Sequence, residues 1–504
     1  ISEDDFEKAL NNPITQMAFT VINGEKELRD IMSAPLEKWR VFLHPVQRKI
    51  VSQQYNGPAR VLGGAGTGKT VVAMHRAKWL ASQADEDQTI LFTTFTKNLA
   101  GDILDNLRKI CNPKELKKIE VVNLDAWISG YLRNQGSEYE IVYGEQLDEI
   151  WDTAMRNSGL DLEFSRLFYH EEWVKVVEAS EAYTIEKYMK TARLGRGTRL
   201  DRSKRIRVWA VFKEYLNLME VMHKRDPEHA MFECKEQIIK SKGSPIYSSI
   251  VVDEGQDLSM SAYRLLRAMS GDEHKNDLFI VGDTHQRIYR NNGKLSKANI
   301  NIRGRSSYLK INYRTPEEIR RYAFSILKNI SFDDLDDGYD EGKECTSLIT
   351  GYRPLVSTFD NQAKEIQYIF GKVNSLVEQG SNHRDICIVV RTNNLIESYR
   401  TGLAALGLRA LFKISQDKQD DRSKEGVRIA TMHRVKGLEF DHVIIAACNH
   451  GLMPLRTAID KTDMVSEEEC VNSEKCLLYV SLTRARKTAE ITSFGQLSEL
   501  VEIK

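Results

Sequence analysis

Short unbroken apolar runs alternate along this chain with longer stretches whose apolar residues recur at helical spacing. Such runs fit strands buried on both faces, and their alternation with helices predicts parallel sheets covered by helices. Strands are predicted in ARVLGG (59–64), TILFTTFT (89–96), VVNL (121–124), SSIVVDE (248–254), DLFIVGD (277–283) and YLKINYR (308–314). They return in ICIVV (386–390), VRIATM (427–432) and HVIIAA (442–447). Residues 127–245 read as almost all helical with no strand signal, which predicts a helical insertion into the first strand-rich block. The acidic stretch 331–344, SFDDLDDGYDEGKE, reads as an exposed loop. Residues 1–42 contain a β-like run, MAFTVIN, but no assignable chemistry. The fold class that follows is α/β, with two parallel-sheet domains and a helical insertion in the first.

Composition adjusts this picture only at the margins. A chain of 504 residues calls for two to four domains, and 41% apolar with 29% charged residues fits a globular protein. No apolar run is long enough for a membrane span, and the acidic start ISEDDFEKAL shows no secretory signal, so a cytoplasmic location is expected. The chain starts at Ile rather than Met, so a trimmed piece of something longer, with an upstream module or partner, is expected. The seven cysteines form no CxxC pair and read as scattered reduced thiols rather than a zinc or iron–sulfur site. Lys+Arg and Asp+Glu are equal at 72 each, so global charge neither supports nor excludes nucleic-acid binding, for which a local basic groove suffices.

Chemistry enters at residues 63–70, GGAGTGKT, which match G-x-x-x-x-G-K-[ST] between a predicted strand and a predicted helix. Gly63, Gly64, Ala65, Gly66, Thr67 and Gly68 would turn backbone N–H groups onto phosphate oxygens, aided by the helix N-terminus. Lys69 would bridge the β- and γ-phosphates of ATP, and Thr70 would hold Mg²⁺. A second element, Val251-Val252-Asp253-Glu254, ends an apolar strand. There Asp253 would complete the Mg²⁺ shell and Glu254 would act as general base on the attacking water.

The extended form of that element, DEGQD (253–257), resembles the DEAQD signature of superfamily 1 helicases of the UvrD/Rep type. Other blocks resemble that family's motifs in its order: LHPVQ (43–47) the Q motif, TTFTKNLA (93–100) motif Ia, VGDTHQRIY (281–289) motif III, INYRTPEEI (311–319) motif IV, VVRTNN (389–394) motif IVa, ATMHRVKGLEFDHVII (430–445) motif V and LLYVSLTRARK (477–487) motif VI. The resemblance covers residues 43 to 488. It implies two RecA-like domains: 1A from 43–126 and 247–312, interrupted by a helical 1B insertion at 127–246, and 2A from 313–504, after an extension of 1–42. It further implies that Gln47 bonds the adenine edge and Tyr313 stacks on the base, with Gly437 and Glu439 at the nucleotide and Glu439 on the ribose. Arg314 and Arg484 would reach the γ-phosphate from 2A, and Gln286 would sense it. A single-strand track would include Thr94, Phe95, Tyr289, Arg391, Asn393 and His433.

The chain departs from the family pattern in three places. The usual YRWRGA after motif III is Tyr289-Arg290-Asn291-Asn292-Gly293, without the stacking Trp. The T-[FL]-H-[SG] block reads Asn123-Leu124-Asp125-Ala126, with a carboxylate in place of the imidazole. Only residues 395–426 separate motifs IVa and V, which leaves no room for the family's 2B subdomain. Within the 1B region, RLGRGTRLDRSKRIR (193–207) carries seven Lys/Arg against one Asp, and Arg196 and Arg199 are the expected phosphate contacts. This patch, with EKWRVFLHP and the phosphate loop, resembles a bacterial UvrD-like subgroup whose helicase part often follows a small toxin-like module.

The expected function is an ATP-dependent, Mg²⁺-requiring DNA translocase or helicase moving 3′→5′ on single-stranded or tailed duplex DNA. Two alternatives stay open: an ATP-gated DNA-binding sensor in a defence or toxin–antitoxin assembly, and an RNA-directed motor.

Overall fold

The structure is a computed structural model that describes residues 43, 45–159, 163–193, 196–241, 243–288, 294–336, 338–340, 345–414, 420–421, 423–456 and 464–502. Its frame is two six-stranded, all-parallel sheets. The first contains β1 (Ala59–Gly63), β2 (Ile90–Thr93), β3 (Ile119–Val121), β4 (Ser249–Val252), β5 (Leu278–Gly282) and β6 (Ser306–Leu309), in the order β3-β2-β4-β5-β1-β6. The second contains β7 (Leu355–Phe359), β8 (Ile386–Val390), β9 (Leu411–Lys413), β10 (Val427–Thr431), β11 (Phe440–Ile445) and β12 (Ala485–Phe494), in the order β7-β12-β11-β8-β10-β9. Most positions of the central strands are apolar because helices cover both faces. Val61, Phe92, Val251, Phe279 and Val281 fill one side of the first sheet, and Ile388, Ile429 and Ile444 fill one side of the second. Full burial of each such side chain contributes about 1.5–3 kcal/mol.

The parallel frame brings strand ends together. Gly63, Val252 and Gly282 end β1, β4 and β5, which are neighbours with Val61 opposite Val281 and Val252 opposite Ile280. The loops that follow therefore open at one edge of the sheet, where parallel α/β folds place their ligands.

The described residues of 127–246 are largely helical. Those between Val142 and Met219 pack around a stacked pair, Trp151 and Tyr215, with ring centroids 4.1 Å apart, while Trp127, Ile128, Leu132, Ala230, Met231 and Cys234 pack into the core of the first domain. This region is not strand-free: Glu140–Ile141 pairs in parallel with Lys224–Arg225. Two residues per strand leave no run for a sequence pattern to register. The predicted strand at 121–124 is displaced to Ile119–Val121, because the helix Leu124–Asn134 begins at once, with Trp127 N–H donating to the Asn123 carbonyl. The predicted strand at 308–314 divides in two. Ser306–Leu309 stays in the first sheet, while Ile311–Asn312 leaves it to pair with Thr346–Ser347.

The acidic stretch is not a free loop. Phe332–Asp333 pairs with Tyr339–Asp340, Asp333 bonds Arg287 at 2.9 and 3.1 Å, and Asp334 bonds the buried Arg60 at 2.7 Å. Asp333 and Asp334 are thus counterions for arginines rather than solvated charges. Strands β7 and β12 carry no signal of the kind used above. The ten residues of β12 include Arg486, Lys487 and Glu490, yet the strand is interior. Glu490 is buried there because Lys372 lies 3.1 Å away and the Tyr368 hydroxyl donates to it. Among the described residues no helix is long and apolar enough to cross a membrane.

Candidate active site

The loop after β1 folds as its glycines require. Gly66 and Gly68 adopt φ of +77° and +83°, a region that side chains disfavour. A Cβ on Gly66 would lie 2.3 Å from Asn312 Oδ1, and one on Gly68 would lie 3.0 Å from Gln47 Nε2. The helix Lys69–Gln83 starts directly from Gly68, aiming its N-terminal amides at the loop. Lys69 Nζ sits inside this loop, donating to the Gly63 and Gly64 carbonyls at 2.9 Å each and to Asp283 Oδ2 at 3.4 Å. Gln47 Nε2 donates to the Thr67 carbonyl at 2.9 Å, so the side chain expected at the adenine also braces the loop.

Thr70 Oγ1 donates to Asp253 Oδ2 at 2.7 Å. Burial and then the charge of Glu254 push Asp253 up to about 7. A hydroxyl beside a buried carboxylate is a hard oxygen donor set, and among the described residues the carboxylate has no salt bridge, though the charge of Lys69 acts on it. Both properties fit Mg²⁺. Glu254 has φ +54°, a strained backbone for a non-glycine residue at the end of a strand. Burial pushes Glu254 up, but Lys436, Lys69, the Gln256 amide and Arg484 outweigh it and hold its carboxyl below the usual range. It is therefore an ionised acceptor at neutral pH. Gln256 fixes its direction, donating to Glu254 while accepting the Asp283 N–H at 2.9 Å.

Sequence reasoning did not single out Asp283. It follows β5 as Asp253 follows β4, and that shared position at a parallel strand's end is the signal that marks it. Although burial opposes ionisation, Lys69 and His285 hold Asp283 well below the usual carboxylate range. Gln286 Nε2 donates to it at 2.6 Å.

The second sheet's domain supplies the opposite wall. Arg484 Nη2 donates to Gln286 Oε1 at 2.9 Å, and Lys436 Nζ donates to Asp257 Oδ2 at 2.5 Å and to the Gln286 carbonyl at 2.8 Å. Burial, then Arg314, lowers Arg484 to about 10, so it stays cationic at neutral pH. Arg314 Nη1 donates to Glu439 Oε1 at 2.7 Å, so the residue expected at the ribose is the ion-pair partner of an expected γ-phosphate arginine. Tyr313 N–H donates to the Gly66 carbonyl at 3.0 Å, which sets its backbone against the loop, and Gly437 is exposed at φ +80°.

The expected nucleic-acid residues are more scattered. Thr94 is buried with its hydroxyl unpartnered, and Phe95 is half-buried against the first domain's core. Asn393 is exposed at the start of the helix Asn393–Ala405. Arg391 binds Glu474 with two nitrogens, at 3.0 and 2.6 Å. His433 is half-buried; burial, then Arg391 and Lys436, lowers it to about 4, so its imidazole is neutral at pH 7. Tyr289, with the segment to Gly293, lies outside the described residues.

One expectation is corrected. Arg196 is not a surface phosphate contact: its side chain is fully buried, bonded to Glu171 at 2.5 Å and Glu172 at 3.1 Å and stacked on Phe168. The two glutamates needed a buried countercharge, which a basic run alone does not reveal. Arg199 is exposed.

Comparison with known proteins agrees with this geometry. The UvrD/REP helicase N-terminal domain family matches residues 43–301, and the UvrD-like helicase C-terminal domain family matches 307–418 and 406–495. A probable DNA helicase II homolog of Mycoplasma capricolum is 24% identical over 376 residues, covering 69% of this chain and 48% of that protein. A probable DNA helicase of Mycoplasma pneumoniae is 23% identical, covering 86% and 80%, and the ATP-dependent DNA helicase Rep of Buchnera aphidicola is 24% identical, covering 89% and 68%. The chain spans about half the length of the helicase II homologs it matches, 48% of the M. capricolum protein and 51% of one from M. pneumoniae. With both family domains matched in order across its two parallel-sheet domains, the chain belongs to the UvrD/Rep helicase family.

Proposed function

We propose that the chain is an ATP-driven DNA translocase or helicase, hydrolysing ATP between its two parallel-sheet domains and moving 3′→5′ on single-stranded DNA. The observation that carries this reading is the composite wall: the phosphate loop and Gln286 come from one domain, and Arg484, bonded to Gln286, comes from the other. Thr70 and Asp253 would hold Mg²⁺, which supplies charge neutralisation on the phosphate oxygens. Lys69 would hold the β- and γ-phosphates. Glu254, ionised and aimed by Gln256, would take the proton of the water attacking the γ-phosphorus. Arg314 and Arg484 would stabilise the charge that develops on the transferring phosphoryl group as the bond to the β-phosphate oxygen breaks. Since these arginines ride on the second domain, hydrolysis and domain closure are coupled, which is the motor stroke.

A second reading, an ATP-gated DNA sensor with little unwinding, draws support from the short interval 395–426, whose described residues hold one helix, Asn393–Ala405, and one strand, β9. ATP hydrolysis and strand displacement on 3′-tailed, 5′-tailed and blunt duplexes test both. Unwinding of the 3′-tailed duplex alone supports the motor. DNA-stimulated hydrolysis with no displacement of strand or of bound streptavidin supports the sensor, and no hydrolysis at all refutes both.

A further inference from the structure

Arg314 needs something to hold it, because it sits in the crossover between the domains rather than inside a helix or sheet. The residue two positions before it does this. Asn312 is fully buried, and its side-chain Oδ1 accepts two backbone N–H bonds, from Arg314 at 2.8 Å and Thr315 at 3.0 Å. An asparagine whose side chain accepts from the amides two and three residues on in this way pins a turn. Thr315 Oγ1 then donates to the Thr483 carbonyl at 3.3 Å, and Arg314 reaches Glu439 and the same carbonyl. The turn is thereby tied to the residue before Arg484.

The same asparagine faces the phosphate loop. A Cβ on Gly66 would meet Asn312 Oδ1 at 2.3 Å and Arg314 Cβ at 3.0 Å, so the loop backbone lies directly against the turn. The next N–H along, that of Tyr313, donates to the Gly66 carbonyl at 3.0 Å. Asn312 Nδ2 is buried with no hydrogen-bond partner, which is unfavourable for the fold. That cost persists where a position serves something besides stability. The backbone of Asn312 is fixed as well, its carbonyl accepting the Leu348 N–H at 3.1 Å within the Ile311–Asn312 and Thr346–Ser347 pair.

We infer that Asn312 is a positioning residue: it registers Arg314 against the phosphate loop, so that the arginine meets the loop in one placement when the two domains are together. This rests on reading the loop as the ATP site. The group it positions acts on the γ-phosphate, so the effect belongs to turnover and not to the binding of a nucleotide that lacks that phosphate.

The test is a double-mutant cycle in the full chain, with Asn312→Ala, Arg314→Ala and the double variant. It reads kcat for ATP with an oligo-dT strand and Kd for a fluorescent ADP. Asn312→Ala is expected to lower kcat by about a hundredfold, the scale for a misplaced catalytic group. ADP Kd should stay within about twofold, and the double variant should be no slower than Arg314→Ala alone. Losses that multiply in the double variant, a wild-type kcat in Asn312→Ala, or a tenfold loss of ADP affinity would each overturn the inference. Should Asn312→Ala fail to fold, Asn312→Leu keeps the volume, removes the acceptor and carries the same comparison. An unmutated chain that binds ADP yet hydrolyses nothing would instead overturn the reading beneath it, so the two failures are distinguishable.

Discussion

Gln286 stands between the two halves of the site: its Nε2 donates to Asp283 at 2.6 Å in its own domain, and its Oε1 accepts from Arg484 Nη2 at 2.9 Å from the other. One amide thus joins the carboxylate paired with Lys69 to an arginine of the second domain. Gln286→Ala removes both bonds without altering the phosphate loop. The expected result is a larger loss in the strand-stimulated rate of ATP hydrolysis than in the unstimulated rate, so the stimulation ratio collapses. Steady-state ATPase with and without an oligo-dT strand reads this directly. An unchanged ratio would remove Gln286 from the coupling.

Arg196 and Arg199 lie three residues apart and are expected to behave oppositely. Removing Arg196 takes away the fully buried cation shared by Glu171 and Glu172, leaving Glu172 to Arg193 and Glu171 to Lys175 at 3.7 Å, so a loss at the lower end for a broken buried pair, about 3 kcal/mol, is expected. Urea denaturation of Arg196→Ala should show that loss, while the affinity of the remaining folded protein for DNA changes little. For Arg199→Ala, stability should hold and the slope of log affinity against log salt should fall by about one. Wild-type stability in Arg196→Ala would show that the buried pairing is unimportant.

Much of this was legible in the sequence, and the reason differs from place to place. The strands β1, β4 and β5 carry short apolar runs, broken in β1 only by Arg60, and the residues at their ends are the chemistry, so strand and site were read together. Strand β12 was not legible, because its charges find buried partners only in the folded chain, as Glu490 does with Lys372. Arg196 misled for the same reason. Its partners are Glu171 and Glu172, more than twenty residues earlier, and nothing local distinguishes a buried arginine from a solvated one. Asn312 stood in a motif already read for its neighbours, and its role rests on contacts to Gly66 that only the crossover geometry creates.

His433 gives a pH signature. Its pKa is lowered from 6.5 to about 4 by burial, then by Arg391 and Lys436, so the folded state favours the neutral ring. The stability this contributes is fully present above pH 6.5 and is lost as pH falls through that value toward 4. His433→Gln lacks the titration, so its melting temperature should fall less than the wild type's between pH 6.5 and 4.5. Because the ring is neutral at pH 7, the same variant should leave the salt slope of DNA binding unchanged at that pH. Equal pH profiles for the two proteins would contradict the neutral buried ring.

Gly66→Ala probes the tightest contact in the site. The new methyl would stand 2.3 Å from Asn312 Oδ1 at a backbone angle of φ +77°, so loop and crossover cannot both keep their places. ADP affinity, measured by fluorescence titration, should fall by about tenfold or more, since the strain falls on the phosphate cradle itself. Binding at the wild-type level would mean that the loop tolerates a side chain there.

The central claim is that hydrolysis needs an arginine from the second domain. Arg484→Ala separates binding from chemistry, because Arg484 touches Gln286 and not the phosphate loop. Single-turnover ATP hydrolysis in the presence of an oligo-dT strand, with ATP affinity measured on the same preparation, is the direct test. The account predicts near wild-type affinity and a rate lower by on the order of a thousandfold, the range for a catalytic arginine supplied across an interface. A wild-type rate would contradict it and place the whole of the chemistry in the first domain.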